Sequence, residues 1–114
     1  MARAMTPFRK TRVAADYVLR NSSEEATHLR ALEVFHALVA CEEAMAEDPV
    51  LAQERFDELR SALRVLLGDA WIARHAEDAQ VRAFLGLDQD TLPADQDETI
   101  AALLWERFGP AGTA

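Results

Sequence analysis

The chain has 114 residues, one domain's worth, and half of them are hydrophobic, which at this length suffices for a packed core. Charged residues at 28% argue against wholesale disorder, and four glycines and four prolines exclude a collagen-like or low-complexity chain. One cysteine excludes an internal disulfide scaffold, and the net charge of −8 marks an acidic protein.

The charge is unevenly spread. Residues 1–20 hold five bases against Asp16, a net of +4, while residues 21–114 hold seven bases against nineteen acids, a net of −12. An acidic body disfavours direct nucleic-acid binding, which depends on neutralising phosphates. Eleven of the twelve bases are arginine and 22 residues are alanine, a coding bias expected of a GC-rich bacterial or phage genome. Residues 1–10 have no apolar run of the kind a signal peptide uses. Residues 31–41, the longest nearly apolar stretch, are broken by Glu33 and His36 and fall short of the roughly 20 residues of a membrane span. With a free Cys41, the expectation is a cytoplasmic protein without membrane contact.

Five helices are expected in chain order, and no β-sheet. Thr6 followed by Pro7 is a cap with proline at the first helical position, opening a helix over 7–20 whose apolar arc includes Phe8, Val13, Ala14, Tyr17 and Val18. Ser22 and Glu25 have capping-box spacing and predict a second helix over 23–47. Its apolar residues, among them Leu32, Val34, Phe35, Leu38 and Cys41, cover about half of its circumference, which makes it the long central element. Asp48-Pro49 repeats the cap-then-proline device for a third helix over 49–67, closed by Gly68. In it Ala52, Phe56, Leu59, Leu63 and Leu66 step by four and three, the seam of an antiparallel hairpin with helix 2.

Asp69 is expected to cap a fourth helix over 70–85, with a small face of Ile72, Ala76, Ala79 and Ala83 and an outer ladder of Arg74, Asp78 and Arg82. An acidic connector over 86–95 follows. Asp95 and Glu98 form a further capping box for a fifth helix over 96–108, which ends at Gly109-Pro110. The expected fold is therefore an all-α, single-domain bundle spanning residues 1–114.

Chemistry-bearing residues are sparse. Glu25 with His28, and Glu33 with His36, match the Glu-x-x-His spacing of di-iron carboxylate bundles, but both lie on one helix and need a dimer to complete a shell. Cys41 sits mid-helix on the apolar edge, where a raised pKa and an inert packed thiol are expected. Asp88-Gln-Asp90 starts like an EF-hand loop, yet Leu92, Pro93 and Thr99 depart from it at the fifth, sixth and twelfth positions. Arg30 and His36, five residues between them, have a spacing that resembles the Arg-x-His element of HEPN-type ribonucleases. That resemblance implies RNA cleavage by a helical protein. Six positions along one helix set the two side chains about 120° apart, which does not aim both at one phosphate.

The expected function is a small acidic, non-enzymatic accessory protein that binds another protein as an inhibitor, adaptor or chaperone-like regulator. Homodimerisation or partner docking is expected through the second and fifth helices. The interface residues predicted are Trp71, Trp105 and Phe108 as apolar anchors, Arg9 and Arg12 from the basic head, and Asp88, Asp90 and Asp95 from the connector. The acidic surface selects a partner with a basic face. No catalytic residue, metal or cofactor is expected. The alternatives are a dimeric metal-binding protein or enzyme using His28, Glu33 and His36, with His75 in support, and the HEPN-like ribonuclease.

Overall fold

The computed structural model describes residues 8–86 and 96–109. Among these there are six α-helices and no strand: α1 (Arg9–Asn21), α2 (Glu25–Met45), α3 (Pro49–Leu67), α4 (Asp69–Arg74), α5 (Ala79–Leu85) and α6 (Asp97–Phe108). The fold is an all-α bundle. Thr6, Pro7 and the connector residues Asp88, Asp90 and Asp95 lie outside the described residues.

α2 and α3 form the expected hairpin around a three-residue turn. Asp48 caps α3, its Oδ1 accepting the Val50 N–H at 3.0 Å, and Pro49 occupies the first turn. Gly68 closes α3 with φ +90°, a backbone region that side chains rarely enter. All five seam residues of α3 are buried. Opposite them α2 buries Ala31, Val34, Leu38, Cys41 and Ala44, a period of three and four. Cys41 Sγ lies 3.7 Å from the Ala52 carbonyl across the hairpin. Burial, reinforced by the neighbouring Glu42 charge, pushes the thiol up to about 11, in keeping with an inert packed cysteine.

α2 is central because it packs against α3 on one side and α1 on the other, which uses its broad apolar arc. α1 in turn packs against α6, and α6 against α5. Phe8, fully buried just ahead of α1, stacks on Phe56 with ring centroids 6.4 Å apart.

The helix starts differ from the capping signals in instructive ways. Ser22 does not open α2; its hydroxyl donates to the Val18 carbonyl at 2.9 Å and so finishes α1. α2 begins at Glu25 and ends at Met45, shorter at both ends than the sequence signals suggest. Glu98 accepts a hydrogen bond from Lys10 Nζ at 2.7 Å, and its expected capping-box partner Asp95 lies outside the described residues.

The fourth predicted helix is two. α4 stops at Arg74 and α5 starts at Ala79, with a turn through His75 and Asp78 between them. At 100° per residue, one continuous helix would set the mean direction of Trp71 and Ile72 about 160° from that of Val81 and Phe84. Breaking the helix lets all four bury. The burial of large side chains outweighs the hydrogen bonds lost at the turn. The alanine stripe expected to face the core is not used: Ala76, Ala79 and Ala83 are exposed. Asp69 is the first residue of α4 rather than its cap, and the charge ladder through Asp78 does not form.

Candidate functional site

The start of α1 is completed by side chains from distant parts of the chain. Its leading N–H groups have no partners within the helix and no local cap. Asp97, at the start of α6, accepts the backbone N–H groups of Lys10 at 2.9 Å and Thr11 at 2.7 Å. Thr11 returns a hydrogen bond from its hydroxyl to the Asp97 carbonyl at 3.1 Å, which explains why a threonine is fully buried here. Glu42 of α2 accepts the Phe8 N–H at 3.1 Å and pairs with Arg12.

These bonds fix α1 beside α6, so that Arg9 and Val13 face Glu98, Ala102 and Trp105 across a shallow groove. Val13 is 58% exposed and Trp105 38% exposed. Below them Tyr17 meets Trp105 with ring centroids 5.1 Å apart, and Tyr17 and Phe108 line a second hollow that is also walled by residues 22–24 and by Thr27 of α2. Arg9 and Lys10 stand at one edge with Glu98, which Lys10 holds below the ordinary carboxylate range through its hydrogen bond and charge. This face carries both signs of charge around an apolar strip.

Two of the residues predicted from sequence, Arg9 and Trp105, share this groove, and Phe108 lines the neighbouring hollow. Arg12 does not join them. It turns to α2, where it pairs with Glu42, whose side chain is only 10% exposed, and lies over the Phe35 ring at 5.5 Å. Trp71 is buried in α4 and stacks on His75 at 4.3 Å between ring centroids.

A second constellation, not anticipated as a set, lies at the α4–α5 turn. A ring nitrogen of His75 and one carboxylate oxygen each from Asp78 and Glu106 lie within 4.8 Å of one another. His75 Nδ1 is 2.9 Å from the Trp71 carbonyl; a carbonyl only accepts, so Nδ1 is the donor of this bond. Asp78 precedes α5 but its side chain does not cap that helix. Glu106 is pushed above the usual carboxylate range, chiefly by its hydrogen bond to Asp78, then by burial and by the Asp78 charge, with His75 opposing. His75 and Asp78 were visible in the sequence, but Glu106 lies on another helix, and only the break between α4 and α5 brings them together.

The helix 2 residues do not converge on a shared centre. His28 Nδ1 engages the Leu19 carbonyl at 3.2 Å, and Glu33 and His36 are exposed. Among the described residues, the potential metal-ligand group is the one at His75 and not one on α2. Arg30 lines a hollow with Ser61, Arg64 and Asp69, and His36 is not among its walls. None of the helices, among the described residues, is long and apolar enough to cross a membrane. Comparison with protein-family models, with curated proteins and with solved structures finds no match.

Proposed function

We propose that this chain is a small, cytoplasmic, non-enzymatic accessory protein that works by binding protein surfaces, and that its first partner is a second copy of itself, docked through the α1–α6 face. The observation that supports the reading is the pairing of exposed Val13 and Trp105 on one strip, with Tyr17 behind them. Exposed tryptophan beside aliphatic surface is the composition of interface hot spots.

Charge argues for self-association at this place. Residues 21–114 are strongly acidic, so two copies repel over most of their surface. On the α1–α6 face the bases of α1 offset the acids of α6, and a patch with both signs suits a two-fold interface, where each side meets its own copy. A further partner would meet the acidic remainder, which selects a basic protein surface. Inhibitor, adaptor and chaperone-like roles all fit such a surface.

Sedimentation velocity on the full chain at micromolar concentrations tests the proposal. A dimer is expected, reduced to monomer by Trp105→Arg or Val13→Glu without loss of helical circular dichroism. A wild-type monomer at high micromolar concentration would overturn the dimer, and a dimer indifferent to both substitutions would place the contact elsewhere.

A further inference from the structure

We infer that His75, Asp78 and Glu106 form a binding site for one divalent transition-metal ion of the zinc type, which ties the α4–α5 turn to α6. The inference is independent of the docking face. It rests first on convergence: three donors from two segments, 28 residues apart at their nearest, lie within 4.8 Å of one another. Three ligands at metal–ligand distances of about 2.1 Å in a tetrahedral shell sit roughly 3.4 Å from one another. The gap to that geometry is within the reach of side-chain rotation, since Glu106 is exposed and the other two are half-buried.

The orientation of His75 is a separate observation. Its Nδ1–H is held by the Trp71 carbonyl, and its ring is stacked on the Trp71 indole. This orients the ring and leaves Nε2 as the nitrogen available to an ion, the arrangement that outer partners impose on metal-binding histidines. Asp78 and Glu106, the two carboxylates that meet beside it, have no lysine or arginine among their ion-pair partners in the described residues. The two carboxylates already hydrogen-bond each other, which requires a proton between them, and a bound cation would displace that proton.

The donor set selects the ion. One nitrogen and two carboxylate oxygens suit zinc and its first-row neighbours, whereas calcium takes six to eight oxygens and magnesium keeps most of its waters. Three protein ligands leave a fourth position for water or for a donor from another molecule.

Calorimetric titration of the full chain with zinc chloride in a non-chelating buffer at neutral pH tests the site. Cobalt(II) absorption and quenching of tryptophan fluorescence provide a second readout, because Trp71 stacks on a ligand. One zinc per chain is expected, not displaced by excess magnesium. His75→Ala and Glu106→Gln should each weaken binding by about tenfold or more, with His36→Ala unchanged. Glu106→Gln lies on the surface, so it separates loss of a ligand from loss of the fold, which circular dichroism checks. Absence of saturable zinc binding up to millimolar concentration overturns the inference. So does binding that survives both substitutions, or that is lost with His36→Ala.

Discussion

The α2–α3 hairpin and the α1–α6 pair are held together by different physics. In the hairpin, neighbours in sequence meet along a continuous apolar seam, closed by a local cap at Asp48 and a local stop at Gly68. In the α1–α6 pair, segments more than eighty residues apart are matched by polar groups: Asp97 on the amides of Lys10 and Thr11, and Glu98 on the Lys10 side chain. Seam packing is cumulative and non-directional, whereas a cap is worth a fixed and modest amount and demands correct placement. The hairpin relies on its seam, whereas the α1–α6 pair adds placed polar groups to apolar residues, such as Val18, Leu103 and Leu104, that lie in the common core.

The comparison can be broken from the hairpin side. Leu63 is fully buried in the seam, and Leu63→Ala should cost about 2–5 kcal/mol by urea unfolding. All probes should report the same loss, since the seam supports the whole bundle. From the other side, Asp97→Ala leaves two N–H groups of α1 without an acceptor and should cost about 1–2 kcal/mol. Here the effect should be local: Trp105 fluorescence and amide exchange in the first turn of α1 should change, while the α3 amides stay protected. Equal exchange changes in α3 would show that the two halves are not separable.

The smallest effect belongs to Lys10 and Glu98. The Glu98 pKa is lowered in the folded chain, so its contribution is present at neutral pH and is lost as pH falls through that lowered value. The pair is on the surface and open to screening by salt. Thermal melts of wild type and Glu98→Gln should differ slightly at neutral pH in low salt and converge in acid or in high salt.

The same contrast explains what the sequence made legible. The hairpin was legible because its packing is written locally, in the spacing of Ala52, Phe56, Leu59, Leu63 and Leu66 and in Asp48-Pro49. Gly68 read correctly for the same reason. The break between α4 and α5 had a signal too, the angular conflict between Trp71 with Ile72 and Val81 with Phe84. It was masked by an alanine stripe whose regular spacing suggested one uninterrupted face. The cap read at Ser22 failed because its hydroxyl found a better partner in the Val18 carbonyl. The partial exposure of Trp105 and Phe108 was legible in their position at the margin of an amphipathic helix. The contacts of Arg12 were not legible, since nothing local announces that Glu42 and Phe35 will engage it.

Asp97 also bears on the order in which the molecule can be assembled. The amides of Lys10 and Thr11 must wait for an acceptor encoded 86 or 87 positions later. During synthesis the chain can therefore build its hairpin while the first helix remains incompletely satisfied at its leading end. Closing so long a loop is entropically more demanding than forming adjacent helical contacts. The hairpin would then serve as the template, and arrival of α6 as the late event that completes α1. The face on which Val13 and Trp105 meet would come into being only at that last step, so that a chain still being made would not yet present it to a partner.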